Sequence, residues 1–195
     1  MSSLFGAGPQ VLLDDATGRI EYRPAVLAPD VARAWFEQLH AQVPWRQQRR
    51  VMYERELDVP RLVASYALDA PALPWPLAEA AALAATEFGA GFNSVGLNLY
   101  RDRDDSVAPH NDRLGDLVPG HPIVLLSLGA TRRMRIQGKG SRAKLELDLE
   151  AGSLLLMDYE TQKHYDHGIP KERAAVGPRI SLAFRMRTRK MPSEE

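Results

Sequence analysis

From Arg179 to Arg187 the chain alternates without a break. Ile180, Leu182, Phe184 and Met186 fall on one side, and Arg179, Ser181, Ala183, Arg185 and Arg187 on the other. A period of two is the pleat of a β-strand, so this segment has one apolar face and one face rich in guanidinium groups. Turned inward, such a face needs an anion, because an unpaired buried charge is costly. Turned to solvent it would be the wet side of an ordinary amphipathic strand. The segment has company. Val95 to Tyr100 and Ser153 to Met157 are short apolar runs, and Ile123 to Leu128 is nearly unbroken, as in a strand covered on both faces. Leu145, Leu147 and Leu149 alternate with Glu146 and Asp148, which gives that strand one wet face.

Two helices are expected ahead of these strands. Asp30 to about Val43 places Val31, Ala34, Trp35 and Leu39 on one face, with Asp30 as N-cap. Pro76 to Phe88 has proline in its first turn, an alanine-rich body and Gly89 as a stop. Helices first and short strands afterwards predict an α+β protein on an antiparallel double sheet. The length, 195 residues, suits a single domain.

Composition narrows the chemistry. There is no cysteine, so a metal site here must use histidine and carboxylate ligands. No apolar stretch approaches the ~20 residues needed to span a membrane. The first residues, MSSLFGAGPQVLLDD, lack the basic and apolar regions of a signal peptide, and a cytoplasmic location is expected. Lys plus Arg and Asp plus Glu both total 25, so net charge favours no class of partner. Its distribution says more: Arg46, Arg49 and Arg50, then Arg132, Arg133 and Arg135, then Arg185, Arg187, Arg189 and Lys190 form clusters able to meet phosphates or simply solvent.

Histidine is scarce, with five in the chain. His110 and Asp112 stand two apart, and on an extended segment both point to the same side. A third donor, His167 or His164, would complete a face of two histidines and one carboxylate with positions left open. Arg179 would then hold the far end of a dicarboxylate whose near end chelates the metal, since guanidinium grips carboxylate bidentately. Arg185 lies about 20 Å further along an extended strand and belongs nearer the metal end.

Together these residues resemble the AlkB family of iron(II)- and 2-oxoglutarate-dependent dioxygenases. The likeness rests on Asn98–Leu99–Tyr100, on His110–Asn111–Asp112, on His167–Gly168–Ile169–Pro170 and on Arg179–Ile180–Ser181–Leu182–Ala183–Phe184–Arg185, in the family's order and spacing. Pro119–Gly120, Pro122–Ile123 and Ser127–Leu128–Gly129 fit it too, so the likeness runs from about Phe92 to Arg187. It implies a jelly-roll (double-stranded β-helix) core over about 91–190, behind N-terminal helices and a recognition lid over about 1–90. It implies His110, Asp112 and His167 as catalytic iron ligands, and Asn98, Tyr100, Arg179, Ser181 and Arg185 around 2-oxoglutarate, with O2 as oxidant. His164 would sit beside the ligands or on the substrate side, and His40 and His121 would be structural.

The resemblance also implies oxidative dealkylation of DNA or RNA bases taken out of their stack, by a monomer with no membrane contact. Trp45, Arg46, Tyr53, Arg61 and Tyr66 occupy the stretch that forms the nucleotide lid in those relatives. Pro60–Arg61–Leu62 followed by Tyr66 resembles members acting on double-stranded DNA. One departure stands out. Where base-repairing members carry acidic residues after the H-x-D pair, this chain has Arg113, Leu114 and Gly115, with Asp116 the next carboxylate. Two other outcomes fit the same motifs: the same chemistry on a protein or small molecule, and an inactive homologue that binds nucleic acid.

Overall fold

The computed structural model describes residues 8–52, 55–140 and 143–188; Tyr53, Arg189 and Lys190 lie outside them, as does the side chain of Arg50. In chain order the elements are β1 (Gln10–Asp15), β2 (Gly18–Arg23), α1 (Pro29–Gln42), β3 (Arg46–Met52), β4 (Arg55–Ala67), α2 (Leu77–Phe88) and β5 (Ser94–Tyr100). Then follow β6 (Val107–His110), β7 (Ile123–Gly129), β8 (Arg132–Gly138), β9 (Lys144–Leu149), β10 (Leu154–Met157), the short α3 (Thr161–His164), β11 (Tyr165–Ile169) and β12 (Arg179–Arg185).

All the strand pairs are antiparallel. One sheet runs β1-β2-β10-β7-β12-β5-β4-β3, the other β6-β11-β8-β9. Side-chain alternation decides what each face meets. From β7, β10 and β12, Val124, Leu126, Leu128, Leu154, Leu156, Ile180, Leu182 and Phe184 turn outward and pack with Trp35, Leu39, Leu77, Ala80 and Ala84 of the helices. Their neighbours Ile123, Leu125, Leu155, Met157 and Ala183 turn inward against Met134, Ile136, Leu149 and Ile169 of the second sheet. Both faces of the large sheet are thus covered, which is why Ile123 to Leu128 reads as continuous apolar sequence. The expected jelly roll is what forms.

The N-terminal region differs from expectation. Four strands, β1 to β4, accompany the two helices there and join the large sheet, with β2 on β10 and β4 on β5, so no sheet boundary falls near residue 90. Helix α1 begins one residue earlier than expected. Its N-cap is Ala28, with no side-chain cap; Pro29 opens the first turn and places Asp30 inside it. Its buried stripe is Ala32, Trp35 and Leu39, and Ala34 faces solvent. Helix α2 ends as expected, with Gly89 left-handed at φ 63°.

Candidate active site

The inner face of β12 is turned inward. Register sets Arg179 across from Tyr100 of β5 and Gly129 of β7, and Ser181 between Asn98 and Ser127. Asn98, Tyr100, Arg179 and Ser181 therefore share one patch between the sheets. Arg179 is 1% exposed, and its Nη2 donates to Ser127 Oγ at 2.7 Å. Its Nε and Nη1 are buried with no partner. Burial, with Arg132 nearby, presses its pKa from 12.5 to about 10, against some support from Tyr100. Two unanswered donors on a buried cation are a receptor for a carboxylate.

Tyr100 lies between Arg179 and Arg132, whose guanidinium carbons stand 5.4 and 5.5 Å from its ring centroid. Arg132 is fully buried and donates to the carbonyls of Asp102, Asp105 and Pro170. The arginine cluster on β8 therefore divides. Arg132 points inward with Met134 and Ile136, while Arg133 and Arg135 are outside in ion pairs with Asp148 and Glu146. Only Arg133 and Arg135 of this cluster reach the surface.

At the other end of the patch, β6 pairs with β11 so that His110 stands opposite His167, ring centroids 4.6 Å apart. Gly168 permits this approach: a Cβ there would lie 2.8 Å from the Val107 carbonyl oxygen. His110 Nδ1 lies 3.0 Å from Ala108 O. That carbonyl can only accept, so Nδ1 carries a proton and Nε2 is the ring nitrogen left to face a metal. His167 is buried, and burial, with His110 adjacent, drives its pKa to about 3, so its imidazole is neutral.

Asp112 follows the strand. Arg185 clamps it from Nε at 2.8 Å and Nη2 at 3.1 Å, and its backbone N–H donates to Gln162 Oε1 at 3.0 Å. Burial works to raise the Asp112 pKa; the Arg185 charge and hydrogen bonds, with both histidines, outweigh it and hold it below 3.8. Gly96 leaves room for the clamp, since a Cβ there would come within 3.2 Å of Arg185 Nη1. Among the described residues no three His, Asp or Glu side chains close into a metal-binding group.

The donor set still suits iron(II): two imidazoles and a carboxylate from one corner, with the unanswered donors of Arg179 along the same face. Arg179 and Arg185 occupy opposite ends of that face, as their separation along the strand requires.

A groove of about 1080 Å3 opens onto this corner, lined by His110, Asp112, Asn98 and Arg185 and, further out, by Arg46, Arg49, Arg61, Tyr66, Arg113, Asp116 and Arg187. Arg61 donates from Nε to Asn98 Oδ1 at 2.7 Å. Tyr66 lies opposite Val95, on the helix side of β4, and borders the groove while packing into that core. Trp45 packs into the same core and donates to His40 O at 3.2 Å; it is not part of the groove wall. His164 ends α3 in solvent, away from the groove, and His40 stacks on Phe36.

Sequence reasoning gave Ser127 and Arg132 no place beside Arg179 and Tyr100, and it did not single out Gln162. Ser127 is the one polar residue of an apolar run, and Arg132 shares the parity of Met134 and Ile136, so both left a signal. Gln162 left none.

Known proteins resemble the chain in sequence and in fold. The model of the 2OG-Fe(II) oxygenase superfamily matches residues 19–185. The chain is 37% identical over 105 residues to human "DNA oxidative demethylase ALKBH2", covering 50% of this chain and 40% of that protein. It is 31% identical over 174 residues to the bovine "Alpha-ketoglutarate-dependent dioxygenase alkB homolog 3", covering 77% and 59% respectively. The chain thus spans about half the length of these relatives. Among solved structures, OsALKBH1 superposes with a TM-score of 0.62 at 12% identity, covering 91% of this chain and 100% of that one. A Pseudomonas putida prolyl-4-hydroxylase gives 0.59 at 13%, covering 88% and 95%. With a superfamily match across most of its length and demethylase relatives above 30% identity, the chain belongs to the 2OG-Fe(II) oxygenases and, within them, to the AlkB family.

Proposed function

We propose that this protein is an iron(II)- and 2-oxoglutarate-dependent dioxygenase that removes alkyl groups oxidatively from N-alkylated bases of DNA or RNA. The observation that carries the reading is the unpartnered Nε and Nη1 of buried Arg179, on the same face as the His110, Asp112 and His167 corner. His110 Nε2, His167 and Asp112 would hold the iron. Arg179 would take the distal carboxylate of 2-oxoglutarate, with Asn98, Tyr100 and Ser181 around the rest.

Bound iron(II), with O2, would oxidise a C–H bond of the alkyl group while 2-oxoglutarate becomes succinate and CO2, and the hydroxylated alkyl group would leave as aldehyde. The chain's own part is positional. Arg185 and Gln162 fix Asp112 from two sides, and the His110–Ala108 hydrogen bond fixes a tautomer. The buried walls around Arg179 keep water from the co-substrate end.

Nucleic acid is favoured by the groove's charge. Arg46, Arg49, Arg61, Arg113, Arg185 and Arg187 line it against Asp112 and Asp116, in a chain whose net charge is zero. Such a concentration suits a phosphate backbone. No helix among the described residues is long and apolar enough to cross a membrane. A monomer acting in the cytoplasm completes the reading, checked by light scattering and cell fractionation.

The test is aerobic incubation with iron(II), 2-oxoglutarate and methylated oligonucleotides, following succinate and formaldehyde. Formaldehyde that disappears in His110→Ala is expected. Succinate without aldehyde from any oligonucleotide would move the substrate to a protein or small molecule, and no succinate under any condition would overturn the oxygenase reading.

A further inference from the structure

Beyond Arg185 the chain leaves β12 and Arg187 enters the groove wall. Its backbone is fixed independently of its side chain. Leu117 bridges to Arg187, Val118 N–H donates to Met186 O at 2.9 Å, and Thr188 N–H donates to Asp116 O at 3.2 Å. Asn93 closes the other side, accepting from Arg187 N–H at 2.8 Å and donating to Arg187 O at 2.9 Å. The loop after Asp112 and the tail of β12 are thereby stitched into one wall beside the metal corner.

What this wall presents is a half-buried guanidinium. Arg185 is closed onto Asp112, but the Arg187 guanidinium makes no hydrogen bond or ion pair among the described residues. Burial and the Arg185 charge both weigh against its own charge, and Asp112 and Asp116 offset this in part. A half-buried cation with free N–H groups attracts an oxygen acceptor and repels a second cation.

We propose that Arg187 sets the charge class of the base: it donates to the carbonyl oxygen of a neutral N-alkylated lactam and disfavours bases that are cationic at neutral pH. In an N-alkylated lactam such as 3-methylthymine or 1-methylguanine, the alkylated nitrogen adjoins a carbonyl. An oxygen acceptor therefore lies beside the carbon that must reach the iron corner. In 3-methylcytosine and 1-methyladenine the base is cationic at neutral pH. A like charge about 6 Å from Arg187, at an effective dielectric constant of about 20, weakens binding by roughly a hundredfold before any offset from Asp116. The inference rests on the proposed nucleobase substrate.

Binding tests it apart from turnover. Anisotropy of labelled single-stranded oligonucleotides is measured without oxygen, with iron(II) and 2-oxoglutarate present. The wild type is expected to bind a 3-methylthymine strand at least about tenfold more tightly than a 3-methylcytosine strand, a discrimination within reach of one good base contact. Arg187→Leu should flatten the ratio and Arg187→Glu invert it, with melting temperatures close to wild type because the backbone bonds persist. Equal or inverted preference in the wild type, no lesion-dependent binding, or a ratio unmoved by Arg187→Glu would each overturn the assignment. Lesion-dependent binding that follows Arg187 without aldehyde release would sink the dealkylation reading and leave Arg187 as the selector. Aldehyde release at one lesion ratio in wild type and Arg187→Glu would do the reverse.

Discussion

Replacing Arg179 with methionine should stabilise the ligand-free protein and abolish tight 2-oxoglutarate binding, two effects of opposite sign from one side chain. Arg179 is fully buried, and its Nη2 donates to Ser127 at 2.7 Å while Nε and Nη1 have no hydrogen-bond partner among the described residues. Depression of its pKa from 12.5 to about 10 by burial corresponds to roughly 3 kcal/mol against folding at neutral pH. The sign follows from linkage. A base whose folded pKa lies below its unfolded value costs stability wherever the unfolded chain holds the proton more tightly, so the penalty is fully present below about pH 10. Methionine has similar reach and no charge, and strands Ser127 Oγ at a cost of about 1 kcal/mol. The net is about 2 kcal/mol of stabilisation, or about 5 °C in a chain of this size. On the ligand side, two charge-assisted hydrogen bonds to a carboxylate are lost, about 3 kcal/mol or more in all. That raises the dissociation constant by roughly a hundredfold or more. Melting curves with Mn(II), with and without 2-oxoglutarate, read both effects. The wild type should rise with ligand, by about 2.7 kcal/mol of stability at a hundred times its dissociation constant. Arg179→Met should start higher and stay still. A variant that melts well below wild type yet still responds to 2-oxoglutarate would refute both the uncompensated charge and the carboxylate receptor.

Three further perturbations follow from the same geometry. Gly168→Ala puts a Cβ 2.8 Å from Val107 O and 3.0 Å from Pro109 N, so β6 must move. We expect about 1–3 kcal/mol of destabilisation together with weakened Mn(II) binding, and unchanged metal affinity would contradict the pairing of His110 with His167. Gln162→Ala leaves the Asp112 N–H without its acceptor, at about 1–3 kcal/mol, whereas Gln162→Glu keeps an acceptor and should recover most of the metal affinity; identical titrations for the two variants would show that the acceptor is not what matters. Asp105 is buried, which works to raise its pKa, but hydrogen bonds from Arg101 hold it below 3.8. Its contribution is present above 3.8 and lost as pH falls through the lower folded value, so urea unfolding below pH 4 should be flatter for Asp105→Asn than for wild type.

How much of this was legible in the sequence depends on whether a residue's role follows its own strand's periodicity. The alternation of β12 put Arg179, Ser181 and Arg185 on one face without saying whether it turns inward, and distance along the strand put Arg179 and Arg185 at different ends. The same rule applied to β8 separates Arg132 from Arg133 and Arg135, because it shares a face with Met134 and Ile136. Gln162 is different. It reaches Asp112 from a four-residue helix fifty positions later, and no local pattern encodes a contact between segments so far apart. Trp45 shows the converse limit: an aromatic beside arginines suits base stacking in sequence, yet the turn into β3 folds it against the helices. Val11 of β1 is exposed, so the first strand lacks the clear apolar face that announces the others.

The three arginines of β12 and its tail also explain one another. They share one parity and differ in what surrounds them. Arg179 is sealed between the sheets with its donors unanswered, Arg185 is 14% exposed at its side chain and closed on Asp112, and Arg187 is half-buried at the groove. A charge already paired can orient a ligand but cannot receive one, so Arg185 serves Asp112. A charge sealed in without a partner is tolerable only where a mobile anion can reach it, which fits a co-substrate that enters and leaves. A charge at the rim can discriminate among larger molecules at small folding cost, because water still reaches it when the groove is empty. On the proposed reading, burial depth along β12 and its tail would divide metal support, co-substrate capture and substrate choice among side chains of identical chemistry.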